Sequence, residues 1–335
     1  PIEEGKIDRT VDIAISEFSP GSELIKDKEV IRCVGVAWPE ARSGKGDRWI
    51  RSGEPLLSRP QTVCRNCQTI SFVESEVCLC CAASGDKLQT FTAWCPTAYV
   101  ADFQATKTYE GHIARDPKVI LSFPINLEQA SERACAGNAV ASSYGGTLVS
   151  TNTNGLNGYG FRRINSTTLP GVYIAEDQLQ SIETRRWLDA SAVGDSRSRI
   201  ALSTERQTDI LIIKAASWPL IFDHTNLQSR YKLQSAWASL AEILGRAIIY
   251  REDVEPTEIS VGIRFEPFDD PEVGARRDLW GVFIADNLDN GAGYSSNYAS
   301  PADLLTLLTY AREKVGGDLL RSSHSVRCFS SCYDC

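Results

Sequence analysis

The chain has 335 residues and a net charge of −8, with 42% apolar and 23% charged residues, the composition of an ordinary soluble globular protein. That length holds two domains, or one large domain with an appended module. The acidic balance excludes a uniformly basic nucleic-acid-binding surface and leaves room for a local basic patch. No apolar run reaches the roughly 18 residues of a membrane-spanning helix. The opening PIEEGKIDRT has neither the charged start nor the apolar stretch of a signal peptide, so no membrane and a cytoplasmic location are expected. Methionine is absent, the first position included, which predicts a fragment of a longer protein from which stretches are missing.

In chain order, residues 1–60 form a mixed segment with one strand at 29–36 (EVIRCVGV) and a polar, glycine-containing stretch at 41–53. Residues 61–86 carry the first cysteine cluster and are predicted as a zinc ribbon. Residues 87–200 read as a β-rich domain: LQTFTAW, KVILSFPI, GGTLVSTNT, YGFRRI and GVYIAE are short apolar or β-branched runs bounded by Gly, Pro and Asn. A polar helix is predicted over 177–189. Residues 201–335 form the last domain. TDILIIKA (208–215) is a strand. The strongest helix lies at 227–251, where Leu233, Trp237, Leu240, Ile243, Leu244 and Ile248 recur at helical spacing. EISVGIRFEPF (258–268) and LWGVFIAD (279–286) are strands, the second so apolar that both its faces should be buried. Pro301 and Asp303 open another helix that ends at Gly316-Gly317. The expected fold class is α/β in the mixed α+β sense: a β-rich N-terminal part with a zinc ribbon and a C-terminal α/β zinc-binding domain.

The chain has eleven cysteines. Clustered C-x-x-C pairs in a long chain without a signal peptide read as metal sites rather than disulfides. Cys64 and Cys67 form one pair; Cys78 and Cys81 form the other, with Cys80 able to replace either. Two tight turns of this kind close a tetrahedron around zinc at about 2.3 Å per bond, and a four-thiolate site has no open position for substrate. A second set, His324, Cys328, Cys332 and Cys335, also has zinc-ligand types. One or two structural Zn2+ ions are therefore expected. Cys33, Cys95 and Cys135 stand apart and read as small buried apolar residues. His112 and His224 carry no assigned chemistry.

The run Asp286-Asn287-Leu288-Asp289-Asn290-Gly291-Ala292-Gly293-Tyr294 follows the apolar strand and precedes a helix. It reads first as a tight connection, with Asp286 accepting backbone N–H groups and the glycines supplying positive φ. On that reading Asp286→Asn is mild and Gly293→Val severe. The alternative is a metal-dependent hydrolase or nuclease using Asp286 and Asp289, since ligands bind beyond the carboxyl ends of strands in open α/β sheets. Thr151-Asn152-Thr153-Asn154-Gly155, ahead of Arg162 and Arg163, reads either as a solvated hairpin or as a turn whose arginines meet a phosphate backbone. There is no G-x4-G-K-[ST], no H-E-x-x-H and no G-x-S-x-G, so no catalytic residue is assigned and the chain alone is expected not to hydrolyse ATP.

LSTERQTDILII (202–213), the amphipathic helix, FIADNLDNGAGYS (283–295) and HSVRCFSSCYDC (324–335) together resemble the zinc-binding domain of the MrfA-type DNA helicases. That domain also occurs in the B subunit of the DISARM anti-phage system and in related large defence helicases. The residues carrying the resemblance are Thr208, Asp209, Asp286, Gly291, Gly293, Tyr294, Cys328, Cys332 and Cys335. Asn154-Gly155 ahead of Gly160-Phe161-Arg162 is similar to the region preceding that domain in the defence proteins. Two departures stand out. The closing motif holds three cysteines where the helicase form often has four, with His324 as substitute, and the nearest basic residue before Thr208 is Arg206, beside Glu205. The resemblance implies a non-motor accessory region of a superfamily-two DNA helicase system, in anti-phage defence or DNA repair. The motor would lie in cis or in a partner subunit, with DNA engaged through the complex. A protein-interaction scaffold is the alternative that suits the acidic balance.

Overall fold

The computed structural model describes residues 9–40, 51–55, 58–66, 69–72, 76–78, 83–111, 120–165, 170–182, 193–217, 227–270 and 275–317. In chain order these contain α1 (Val11–Glu17), β1 (Glu23–Lys26), β2 (Glu29–Ala37), β3 (Pro39–Glu40), β4 (Arg51–Ser52), β5 (Ser58–Cys64), β6 (Ile70–Ser71), β7 (Leu88–Trp94) and β8 (Ala98–Thr108). There follow β9 (Ile120–Ile125), β10 (Glu132–Ala136), β11 (Ala139–Asn152), β12 (Tyr159–Asn165), β13 (Pro170–Ala175), α2 (Glu176–Ile182) and β14 (Val193–Ala215). The last elements are α3 (Leu227–Glu252), β15 (Ile259–Asp270), β16 (Ala275–Asp286) and α4 (Pro301–Tyr310). The class is mixed α+β and rich in sheet. None of the described helices is long and apolar enough to cross a membrane.

The chain divides into two units, each discontinuous in sequence. One comprises Pro1–Cys78, Ala83–Leu121 and Ser150–Thr204; the other comprises Leu79–Ala82, Ser122–Val149 and Glu205–Cys335. In the first unit the strands run in the order β1-β2-β13-β12-β14-β7-β5-β6, with β8 also paired to β2. Most neighbours are antiparallel, but β14 meets β7 in parallel, Ile200 opposite Thr92. Aromatic residues on the inward positions of these strands make the core. Trp94 packs edge-on to Tyr173 with ring centroids 5.0 Å apart and stacks on Phe161 at 5.4 Å. Ile15 of α1 closes the same cluster.

In the second unit β14 pairs antiparallel with β16, in register from Ile210↔Ala285 to Lys214↔Gly281, and also pairs with β11, while β15 pairs β16. The TDILIIKA run is apolar on both faces because both are covered. Leu211 and Ile213 pack with Leu244, Ala247 and Ile248 of α3 and Leu304 and Leu307 of α4, while Ile210 and Ile212 pack with Leu148, Phe283 and Ala285. Of the helical stripe expected in α3, Leu233, Leu244 and Ile248 are buried, and Trp237, Leu240 and Ile243 are half-buried against the same cluster. Ser300 caps α4 by accepting from the Asp303 N–H. The continuous helix expected after Pro301 changes pitch into a π-helix at Ala311–Gly316.

Candidate functional site

Asp286 is the last residue of β16 and is fully buried. A buried carboxylate needs several strong donors, and the following turn provides them from its backbone. Asp286 Oδ2 accepts from the N–H of Ala292 at 2.9 Å and of Tyr294 at 3.1 Å, and Oδ1 accepts from the N–H of Ser295 at 3.0 Å. The intervening Gly293 N–H donates to Asp209. Four consecutive backbone N–H groups thus converge on two adjacent carboxylates. Burial raises the Asp209 pKa, the charge on Asp286 raises it further, and the Gly293 bond opposes both. Strand β14 fastens the rest of the turn. The Thr208 hydroxyl donates to the Asp286 carbonyl at 2.7 Å, the Asn290 N–H donates to Gln207 O at 2.9 Å, and the Ser295 hydroxyl donates to Asp209 O at 3.3 Å.

Two glycines make this closure sterically possible. Gly291 has φ +74°, and a Cβ there would lie 2.2 Å from Asp209 Oδ2. Gly293 has φ +82°, with only Ser296 Oγ nearby, at 3.7 Å. Asp289 is exposed and pairs with Arg206, whose Nε lies 3.4 Å from Asp289 Oδ1; Arg206 also donates to the Asn287 carbonyl. The Asn287 side chain donates to Thr257 O at 2.8 Å, and the Tyr294 hydroxyl bonds the Glu258 carboxylate. The structure therefore gathers Asp286, Asn287, Asp289, Gly291, Gly293 and Tyr294 and adds Arg206, Gln207 and Ser295. The sequence signal for the added residues was slight: polar positions at the mouth of an apolar strand. The strands flanking this turn are antiparallel, so the carboxyl-end rule for ligands in parallel α/β sheets has no purchase here.

Of the first cysteine cluster, Cys64 and Cys78 lie among the described residues and both are buried. Each opens a hairpin tip in the same way. The Cys64 N–H bonds Thr69 O at 3.0 Å, and the Cys78 N–H bonds Ala83 O at 2.7 Å. The flanking pairs are Val63↔Ile70 and Val77↔Ser84. Cys67, Cys80 and Cys81 lie outside the described residues, as do His324, Cys328, Cys332, Cys335, His112 and His224. No group of three or more His, Cys, Asp or Glu able to hold a metal ion occurs among the described residues. Cys33 is buried in an apolar setting that pushes its thiol up to about 12. Cys95 is only half-buried and Cys135 is exposed: in β10 the buried neighbour is Ala134, and the alternation of a strand turns the next side chain outward.

The turn after Asn152 is anchored by a neutral side chain. Asn152 is fully buried; its Oδ1 accepts from the Asn154 N–H at 3.0 Å and the Tyr159 hydroxyl at 3.2 Å, and its Nδ2 donates to Ile15 O at 2.6 Å. Arg162 and Arg163, on β12, both have carboxylate partners. Arg162 Nε lies 3.2 Å from Glu176 Oε1, and Arg163 pairs with Glu54, which also accepts the Tyr173 hydroxyl at 2.9 Å.

No family model and no curated protein matches the chain. Among solved structures it is similar to one described as the crystal structure of the DUF1998 helicase MrfA bound to DNA, at 10% identity and a TM-score of 0.35. The match covers 65% of this chain and 22% of that one. A likeness that slight carries no argument about function.

Proposed function

We propose that this chain is a non-motor accessory region of a DNA helicase system, in bacterial anti-phage defence or DNA repair, stabilised by zinc and supporting engagement of DNA or of the motor. One observation supports the reading above others. Thr208, Asp209, Asp286, Gly291, Gly293 and Tyr294, the residues that carry the resemblance to the MrfA-type zinc-binding domain, come from two distant stretches and meet in one hydrogen-bonded turn. A pattern that closes a single local structure is harder to reach by chance than six scattered identities. The motor lies in cis or in a partner subunit. The matched hairpin closures at Cys64 and Cys78 suit a structural zinc held with Cys67 and Cys81; His324, Cys328, Cys332 and Cys335 are the proposed ligands of a second.

The hydrolase reading is less well supported by the same geometry. Asp286 is fully buried with both its oxygens directed to backbone N–H groups of the turn, and Asp289 faces Arg206. The parent assembly, purified through a tag on this chain, provides the test. It is expected to hydrolyse ATP faster when DNA is added, while the isolated chain hydrolyses none. An assembly with no DNA-stimulated ATP turnover overturns the accessory reading and favours a scaffold. Metal-dependent DNA cleavage by the isolated chain, lost in Asp286→Asn with the fold intact, favours the hydrolase.

A further inference from the structure

The cations of the first unit are not equally available. Arg162 and Arg163 face Glu176 and Glu54, and Arg32 faces Glu23. Arg65 is held differently. It follows Cys64 in the first cysteine hairpin, its N–H donates to Lys87 O at 2.8 Å, and it is exposed. Its guanidinium rests on Gln89 of β7. With the Gln89 amide oriented by its neighbours, the oxygen accepts from Arg65 Nε at 3.0 Å and from Nη2, and the nitrogen donates to the Leu156 carbonyl. A neutral amide orients the guanidinium and leaves its charge in place.

The Leu156 carbonyl belongs to the turn anchored by Asn152. That turn is closed by Gly158 N–H to Thr153 O at 2.8 Å, Asn157 N–H to Asn154 O at 3.2 Å, and Asn154 Nδ2 to Gly158 O at 3.2 Å. Its far end lies against Arg199. Gly158 has φ +74°, and a Cβ there would lie 2.9 Å from Arg199 Cα. Arg199 is exposed. Among the described residues neither Arg65 nor Arg199 pairs with a carboxylate. Lys87, next to the Arg65 backbone, lies 3.8 Å from Asp86, but Asp86 is 87% exposed, so solvent screens the pair and leaves most of the positive charge effective.

From this juxtaposition we propose that Arg65, the 154–158 turn and Arg199 form a contact surface for the phosphodiester backbone of a nucleic acid. Two unneutralised guanidinium groups flank a small, hydrogen-bonded Asn/Gly turn, with Lys87 next to the Arg65 backbone. Guanidinium forks match phosphate oxygens, and a fork already oriented by Gln89 loses less freedom on binding. Such contacts position a strand without reading its bases. The net charge of −8 confines attraction to a patch of this kind rather than spreading it over the surface. The proposal rests on the DNA-engaging part of the accessory reading and names the residues that would make the contact.

The test is fluorescence anisotropy of the full chain with labelled single-stranded DNA, duplex DNA and single-stranded RNA of one sequence, across a salt series. The polymer bound most tightly identifies the source of the phosphates. Arg65→Gln and Arg199→Gln should each weaken binding on the order of 5–10-fold at about 0.1 M salt and reduce the salt slope by about 1. Gln89→Glu sets a carboxylate against Arg65 and should act in the same direction. Arg162→Gln, whose partner is already a carboxylate, should change affinity less than about 2-fold. Thermal melts verify folding; if Arg65→Gln does not fold, Arg199→Gln and Gln89→Glu decide. Parent-like affinity and slope in the folded Arg65, Arg199 and Gln89 variants overturn the proposal, as does a loss confined to Arg162→Gln. Failure of the parent chain to bind all three polymers overturns the surface as well, while DNA-stimulated ATP turnover by the parent assembly separately decides the accessory reading.

Discussion

Two turns built from the same residue types settle their charges in opposite ways. In the 286–295 turn the anchor is a buried carboxylate, and nearly every strong group around it has an internal partner: Asp286 with three backbone N–H groups, Asp209 with Gly293, and Asp289 with Arg206. In the 154–158 turn the anchor is the neutral Asn152, and Arg65 and Arg199 beside it keep their charge. A buried charge must be matched where it sits, because removing it from water is costly. A neutral anchor imposes no such demand, so cations nearby stay available to an outside partner. The first turn satisfies its charges internally, and the second is the one proposed above to contact a phosphate backbone.

The largest effect that would sharpen this contrast is expected beside the second turn. Cys64→Ser should remove one zinc equivalent and loosen the hairpin that carries Arg65, because a structural zinc contributes on the order of 10 kcal/mol to the folding of its module. Elemental analysis, with melts in the presence and absence of chelator, measures it. The loss should be local, leaving the melting of the unit that contains Asp286 in place; unchanged zinc content reassigns the ligand.

Next in size is Gly291→Val in the first turn, expected to cost roughly 3 kcal/mol or more, against about 1–3 kcal/mol for Gly293→Val. Both positions need positive φ, but only at Gly291 does the Asp209 carboxylate occupy the place of a Cβ. The sequence reading expects both glycines to be needed and Gly293→Val to be severe; the packing places the tighter contact at Gly291. Denaturant unfolding of the two variants ranks them, and the reverse ranking would mean that Asp209 is not held against the turn.

Asp286→Asn follows, at roughly 2–4 kcal/mol. The sequence reading expects this change to be mild, since an amide keeps one acceptor oxygen. Both carboxylate oxygens accept backbone N–H groups, however, so the amide nitrogen must face at least one donor at a residue with no exposed surface. A melting temperature equal to the parent's would show that the turn tolerates an unmatched donor and break the comparison.

The smallest effect belongs to Asp209→Asn. The folded pKa of Asp209 lies above its ordinary value of 3.8, so ionising it costs stability. That cost is fully present above the folded pKa and disappears as pH falls to the ordinary value and below. The variant should therefore melt slightly higher than the parent at neutral pH, with the difference closing in acid. Asp209 remains partly open to solvent, which keeps the effect small. A variant less stable than the parent at neutral pH would show that the Gly293 bond outweighs the repulsion from Asp286.

What the sequence determined by itself was local. Alternation and β-branching placed β7 at Leu88–Trp94, and helical spacing placed α3 at Leu227–Glu252, each close to its observed bounds. The short helix Val11–Glu17 and the strand Ala98–Thr108 escaped notice because neither carries a strong period. The exposed start of β14 (DSRSR) hid the fact that TDILIIKA is the end of a 23-residue strand. At the sites, residue types announced turns at Asp286 and Asn154 and named Arg162 and Arg163 for phosphate, without the carboxylates that face them. Glu54 and Glu176, which neutralise Arg163 and Arg162, are brought to them by sheet pairing, and Gln89 is brought to Arg65 the same way. Periodicity is written within a few residues of itself. Whether a charge is matched depends on groups far along the chain that arrive only when the sheet forms, and that was left to the tertiary structure.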